Sequence, residues 1–203
     1  DGTPVLSGTA SIGPSHPKTA LDERRERLRP SEQLIIMADV EVGMRSDGKE
    51  LVVMGFDQHM GDLYPFTLQQ KLDKITELNP WFSAEKGKDS PWGRPIIPFE
   101  MISVLTQYTS RAAGFPVKGP AVGLFADQEI KLTNGPLFVD QHYRLEREVV
   151  ALSESRRVES CWTITRLYDV DTNQLCCESL LNHAIVKESY ANYATEAAAV
   201  NKT

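Results

Sequence analysis

An α+β fold, in which one antiparallel sheet covers a single long helix, is predicted by the order of the segments in this sequence. Two observations carry the prediction. Residues 98–113 form the most apolar stretch with helical spacing, and only strand-like segments separated by turns follow it. Strands joined by short links pair antiparallel, and such a sheet needs one face covered. One long helix laid across a curved sheet meets that need.

Turn-forming residues bound each of the strand-like segments. The strands are predicted over residues 123–132, 141–152, 157–168 and 175–187. Asparagine, glycine, proline and serine recur at 134–136 and 153–155, and a polar run at 169–173 marks the last turn. Because the links are short, the strands are predicted to form an antiparallel meander, in which each strand pairs with the next.

The first half of the chain is predicted to contain two helices and a hairpin. Residues 19–29 favour a short helix with acidic residues in its first turn, and residues 67–78 favour a second helix. Between them, residues 34–44 and 50–56 are rich in strand-forming side chains. The Asp-Gly pair that separates these two runs is a strong hairpin signal.

Length and composition are those of an ordinary single-domain globular protein. The chain has 203 residues, of which 41% are hydrophobic and 25% are charged, so a sizeable core is expected. We predict an N-terminal arm with a short helix over residues 1–30, one domain over 31–190 and a tail over 191–203. The formal net charge of -6 argues against a nucleic-acid partner, because phosphate binding needs a basic surface.

The location is inferred from what the sequence lacks. No stretch is apolar over the length that crosses a bilayer. The first residues are polar and show no basic segment followed by an apolar run, as a signal peptide would. A cytoplasmic location and no membrane partner are therefore expected.

The cysteines predict neither a disulfide nor a metal site. Cys176 and Cys177 are adjacent, so on a strand their side chains point to opposite faces and pair poorly, and Cys161 stands apart. The sequence has no Cys-x-x-Cys pair and no Cys/His ligand spacing. Phosphate-loop and dinucleotide-binding signatures are missing too. We expect reduced thiols, no metal and no cofactor.

Two motifs precede and open the predicted long helix. The first is Glu77-Leu78-Asn79-Pro80-Trp81-Phe82, and the second is Trp92-Gly93-Arg94-Pro95-Ile96-Ile97-Pro98-Phe99-Glu100-Met101. MaoC-like hydratases and dehydratases carry Asp-x-Asn-Pro-x-His, a loop, and then Phe-Gly-x-x-Ile-Ala-His-Gly-Met in the same order. The chain therefore resembles that family over residues 64–187.

The resemblance implies a fold, a ligand class and an assembly. The fold is the hot-dog fold, in which an antiparallel sheet wraps round a central helix, and this agrees with the order of elements. The ligands are acyl thioesters, with lipid or polyketide metabolism as the setting. Hot-dog domains usually pair through their sheet edges, and an unpaired sheet would leave its edges exposed, so a homodimer is expected.

The catalytic pair of the family is altered in this sequence. The Asp and His at the ends of the first family motif correspond to Glu77 and Phe82, and the second motif has Phe99 and Glu100 where the family has His and Gly. A phenyl ring cannot transfer a proton. Ordinary hydration of an enoyl thioester by this pair is therefore not expected.

Glu100 has two interpretations that stay open. It stands in the first turn of the predicted central helix, where a carboxylate is stabilised by the helix dipole and can pair with Arg94. Alternatively it is a general base, since some hot-dog thioesterases use a helix carboxylate to activate water. If the aromatic residues Phe82, Trp92 and Phe99 surround it, desolvation raises its pKa into a useful range.

Glu77 and His59 are the other candidate catalytic residues. Glu77 ends the predicted helix before the Asn-Pro pair, so it is either a solvated helix-end residue or a carboxylate that reaches substrate or water. His59 lies just upstream and replaces the lost His if its loop folds into the pocket. His142 and His183 fall on predicted strands and are interpreted as structural, whereas Asp127 faces either solvent or the pocket.

The side chains expected to bind substrate come from both motifs. They are Asn79, Trp81, Phe82, Trp92, Gly93, Arg94 and Phe99. The crowding of aromatic rings fits an apolar ligand or a filled pocket, and an arginine suits a phosphate or a carboxylate. Two function classes remain: an enzyme on acyl thioesters, either a dehydratase-like lyase or a thioesterase that uses Glu100, and a protein that binds an acyl compound without turnover.

Overall fold

The computed structural model describes residues 18–29, 31, 33–62, 64–77 and 79–200. Residues 1–17 of the predicted N-terminal arm, which include His16, lie outside these ranges. Pro30, which follows the predicted first helix, and Leu78 of the first motif lie outside them as well.

One antiparallel sheet of five strands organises the fold. The strands are β1 (Glu50–Val52), β2 (Gly123–Leu132), β3 (Tyr143–Glu154), β4 (Val158–Asp169) and β5 (Leu175–Val186), in the order β1-β3-β4-β5-β2. The predicted meander holds for β3, β4 and β5, but it is wrong for β2, which pairs with β5 instead of β3. The link between β2 and β3 crosses from one side of the sheet to the other, which sequence spacing does not reveal.

The predicted central helix is confirmed, in two parts. Helix α3 spans Phe99–Gln107, and a 3-10 turn over Ser110–Ala113 continues it. Gly114 ends the segment with a φ of 68°, a left-handed conformation that favours glycine. Met101 and Leu105 of α3 are buried against Leu145 and Leu167 of the sheet. This packing makes α3 the cover for one face of the sheet.

The strand predicted over residues 34–44 is wrong, because the segment forms a series of turns. Ile35, Ile36 and Met37 are all buried, whereas a strand covered on one face buries alternate residues. The carboxylate of Glu159 on β4 accepts the backbone N–H groups of these three residues at 2.8, 2.9 and 3.2 Å. A buried side chain from the far half of the chain thus provides the hydrogen bonds that a partner strand would have provided.

The predicted hairpin at the Asp-Gly pair is also wrong. Only Glu50–Val52 of the second run is a strand, and it pairs with β3. Arg45 forms an isolated bridge with Glu148, also on β3. The residues on both sides of the Asp-Gly turn therefore pair with β3. The turn interrupts the outer edge of the sheet instead of joining two strands that pair with each other.

The remaining helices are short. Helix α1 spans Ala20–Glu26, α2 spans Leu68–Leu72 and α4 spans Tyr193–Ala199. The predicted helix over residues 67–78 is thus much shorter than expected. Thr19 caps α1 and Thr67 caps α2, each in a capping box. Helix α4 lies in the predicted tail, and its Ala197 is buried in the core.

Within the part of the chain described, no helix combines the length and the apolar character needed to cross a membrane.

Candidate functional site

An open groove of about 550 Å³ lies beside the first motif. Its lining includes Glu77, Asn79 and Phe82, three of the residues predicted from the sequence. Pro80 of the same motif also lines it. The rest of the lining comes from α2, from the residue that follows α2 and from the polar loop after the motif: Gln69, Leu72, Asp73, Ser83, Glu85 and Lys86. The sequence pattern did not indicate these additional residues, because nothing local marks them as neighbours of the motif.

The first motif is held in place by its own hydrogen bonds. Asn79 Oδ1 accepts the backbone N–H of Trp81 at 3.0 Å and caps the 3-10 turn Pro80–Phe82. This turn leaves Glu77 exposed at the groove, whereas Phe82 is only 7% exposed. The groove therefore presents one carboxylate from the motif and one apolar ring, which the sequence pattern predicts to match the family's His.

The two motifs are joined by the backbone. The Ile96 N–H donates to the Trp81 carbonyl at 3.0 Å. Gly87, in the loop between the motifs, lies directly against Pro95, since a Cβ added to Gly87 would be 2.5 Å from the Pro95 Cβ. Any larger residue at position 87 would push the loop away, so this glycine fixes the distance between the two motifs.

The second motif forms an aromatic cluster next to the groove. The Trp92 ring meets Trp81 edge to face at 5.7 Å and Phe138 at 6.2 Å. The Arg94 guanidinium lies over the Phe138 ring, 3.7 Å from its centroid, and donates to Gln141 Oε1 at 2.8 Å. Phe138 and Gln141 were missed by the sequence analysis, because they come from the link between β2 and β3, whose path is set by the tertiary structure.

Glu100, Phe99 and His59 lie apart from the groove. All three are exposed, and none lines the cavity. The aromatic environment considered for Glu100 is not formed in the single chain. The ion pair with Arg94 that was considered for Glu100 is not found among the described residues, and Arg94 contacts Phe138 and Gln141 instead. The catalytic roles of Glu100 and His59 and the substrate-binding role of Phe99 stay predictions.

Asp127, His142 and His183 do not line the groove, and His142 is not on a strand as predicted, because β3 begins at the next residue. Asp127 accepts a hydrogen bond from Asn182 at 2.8 Å and pairs with Arg24 of α1. His142 is exposed. His183 packs edge to face against Phe125 at 6.2 Å, and burial lowers its pKa.

The cysteines are free and buried, and burial raises the pKa of the Cys177 thiol to about 12. A thiol that stays protonated at neutral pH is a poor nucleophile. Among the residues that the structure describes, no cluster of three His, Cys, Asp or Glu side chains is arranged to hold a metal ion.

Among known proteins, this chain is similar to solved structures but not to any sequence family or curated sequence. No protein-family model and no curated protein matches the sequence. The HadBC (3R-hydroxyacyl-ACP dehydratase) complex of Mycobacterium tuberculosis superposes with a TM-score of 0.54 at 15% identity, over 70% of this chain and 96% of that one. A MaoC-like dehydratase from Rhodospirillum rubrum gives 0.51 at 13% identity, over 75% and 97%.

A third structure agrees with these two. The (R)-hydratase from A. caviae gives a TM-score of 0.50 at 19% identity, over 71% of this chain and 96% of that one. At such low identity the likeness establishes the fold. The chain has the hot-dog fold that these dehydratases and hydratases share, as the sequence predicted.

Proposed function

We propose that this chain, whose hot-dog fold is that of the MaoC-like dehydratases, binds an acyl thioester or a similar apolar acyl compound in the groove beside Glu77. The observation that carries the proposal is the place of the first motif. Glu77, Asn79 and Phe82 line one cavity of about 550 Å³, which is within the size range of small-molecule sites. The fold and the position of the motif thus support the same class of ligand, an acyl thioester or a similar acyl compound.

Ordinary hydration of an enoyl thioester is not part of the proposal. Hydration needs one group to activate water and a proton donor for the α-carbon. The motif offers Glu77 for one of these roles, but Phe82 stands where the family has the second group. Losing a general acid–base residue costs a factor of about 10² to 10⁴ in rate.

Thioester hydrolysis is the reaction that best tolerates this loss. A carboxylate can activate water towards the thioester carbonyl, and the thiolate leaves without needing a proton. Glu77 lines the groove and Glu100 does not, which favours Glu77 as this carboxylate. A protein that binds the acyl compound and turns nothing over remains the second candidate, favoured by the apolar Phe82 ring in the groove.

The test combines binding and turnover on short- and long-chain acyl-CoAs. We expect Glu77→Gln to abolish hydrolysis while leaving the Kd of the acyl-CoA nearly unchanged, and Glu100→Gln to retain activity. Glu188→Gln, at an exposed position outside the groove, is the control. Loss of activity in Glu100→Gln alone would move the base to α3. Binding by the wild type without any turnover would favour the second candidate.

Rebuilding the family's pair provides the complementary test. The double variant Glu77→Asp/Phe82→His is expected to gain crotonyl-CoA hydration that the wild type lacks. Circular dichroism must first show that the variant is folded, since a polar ring replaces a buried one. Robust hydration of crotonyl-CoA by the wild type would contradict the argument from Phe82.

We also propose a homodimer that forms through the free edge of the sheet. β2 is an outer strand, and its Leu124 and Phe125 are 51% and 47% exposed. An apolar outer strand is prone to pair with another chain, and a second copy of the same strand would cover it. A cytoplasmic location, no membrane or nucleic-acid partner and no cofactor are proposed on the sequence grounds given above.

A further inference from the structure

Trp92 stands out among the aromatic side chains because it is large, exposed and rigidly held. Its side chain is 45% exposed. Ser90 Oγ accepts the backbone N–H groups of Trp92 and Arg94, both at 3.3 Å, and donates to the Arg94 carbonyl at 2.7 Å. Gly93 has a φ of 70°, so it permits the sharp turn between Trp92 and Arg94. The Trp92 ring is therefore presented to solvent on a fixed turn.

Arg94 is ordered next to this ring. Its guanidinium lies over Phe138, and Gln141, which holds one of its nitrogens, is itself oriented by a hydrogen bond to Asp171 at 3.1 Å. Within the described residues Arg94 forms no ion pair, and its side chain is exposed. A guanidinium has five N–H donors, so most of them remain free for an anion.

We propose that Trp92 and Arg94 form a subsite for the nucleotide end of the thioester carrier, with a purine stacked on the Trp92 ring and a phosphate bound by Arg94. Planar bases stack on exposed aromatic rings with little dependence on base identity. An arginine held in one orientation binds phosphate at a smaller entropic cost than a free one. Coenzyme A combines an adenine, phosphates and a thioester-bearing arm, whereas a carrier protein presents no base.

The position of the subsite fits one ligand that occupies both the subsite and the groove beside Glu77. Trp81 contacts Trp92 directly, and its chain neighbours Pro80 and Phe82 both line the groove. The inference rests on the proposed function, because the acyl end of the same molecule would lie in that groove. It narrows the ligand class to thioesters of coenzyme A.

The test separates the nucleotide from the acyl arm. We expect an acyl-CoA to bind at least about tenfold more tightly than the same acyl group on pantetheine, and Trp92→Ala to remove that difference. Trp92→Phe should retain most of it. Arg94→Gln should weaken the acyl-CoA about tenfold, whereas Arg156→Gln, an exposed arginine in the turn at the far end of β3, should have no effect.

The outcomes distinguish this inference from the proposed function. Equal affinity for acyl-CoA and acyl-pantetheine would overturn the subsite and leave the groove in place. Binding of adenosine 3′,5′-bisphosphate in the absence of any acyl binding would support the subsite and contradict the proposed function. If ADP competes as well as the bisphosphate, the subsite serves free nucleotides, and its assignment to coenzyme A is wrong. Dissociation of a dimer by Trp92→Ala would identify the ring as a subunit contact and overturn the inference.

Discussion

At the scale of single residues, Phe82 and Glu159 show how burial decides the role of a side chain. Phe82 is a buried ring that gives the groove an apolar wall, at the position that the sequence pattern predicts to match the catalytic His of MaoC-like enzymes. Glu159 is a fully buried carboxylate, and three backbone N–H groups stabilise it there. The sequence pattern singles out Phe82 but gives no sign of the role of Glu159, which depends on the backbone groups that pack around it.

His183 gives a prediction at this scale, because burial lowers its pKa below the ordinary value near 6.5. In the unfolded chain this imidazole takes up a proton as the pH falls through that value, whereas in the folded chain it resists protonation. Its contribution to stability is therefore complete above about pH 6.5 and is lost as the pH falls towards the folded-state pKa. The wild type should consequently lose stability over this interval.

The measurement is the free energy of unfolding in urea at about pH 7.5 and about pH 5.5. His183→Gln should lose less stability between the two conditions than the wild type does, since the titrating ring is absent. His142→Gln, which removes an exposed histidine from the same half of the chain, is the control. Equal losses in the wild type and in His183→Gln would contradict the prediction.

At the scale of elements, β1 is a short outer strand held by side chains as well as by its backbone. Glu50 of β1 binds Arg147 of β3 through two hydrogen bonds of 2.7 and 2.9 Å, and both side chains are buried. Arg147 also donates to Thr165 at 3.0 Å, and Thr109 at the end of the central helix donates to Glu50. The ion pair between Glu50 and Arg147 thus connects β1, β3 and β4 with the end of the central helix.

Two arginines along this outer side of the sheet allow a matched comparison. Arg147→Ala leaves the Glu50 carboxylate buried without its partner, so we expect a loss of about 3–5 kcal/mol in the free energy of unfolding. Arg45→Ala removes a largely exposed partner of Glu148, and a loss below about 1 kcal/mol is expected. If urea unfolding gave equal losses of unfolding free energy for the two variants, burial of the Glu50–Arg147 pair would not determine how much it stabilises the fold.

At the scale of the whole molecule, the two outer strands of the sheet differ in length and in the side chains that they expose. The β1 side is only three residues long, whereas β2 has ten residues and exposes apolar side chains. A short outer strand offers little to a partner chain, and a long apolar one offers much. Self-association through β2 is therefore the expected assembly.

Light scattering at micromolar concentration should give twice the chain mass of 22.7 kDa. The double variant Leu124→Glu/Phe125→Glu should give the single-chain mass, because like charges from both copies would meet along the paired strands. Val42→Glu, at another exposed apolar position outside β2, should leave the dimer intact. A wild type that is monomeric under these conditions would contradict the proposed dimer.

Local signals in the sequence were sufficient for the bounds of the strands in the second half of the chain, although not for the place of β2 in the sheet. Alternation and turn residues placed β2 to β5 within about two residues of their bounds, because strand and turn preferences act over neighbouring positions. The capping of α1 and α2 was equally local. The turn that follows Asn79 depends on a hydrogen bond from the Trp81 N–H to the Asn79 side chain two residues away, so it too could be predicted from the sequence.

The tertiary structure decided everything that depends on distant partners. The strand-like run at residues 34–44 became a turn because Glu159 supplies its hydrogen bonds, and the Asp-Gly turn did not make a hairpin because β3 pairs with both flanks. Arg94 contacts Phe138 and Gln141 instead of Glu100 for the same reason, since both residues reach it from a link whose path crosses the sheet. The periodicity of a sequence indicates which face of a segment is apolar. Only the packing of the whole chain determines which side chains and backbone groups contact that face.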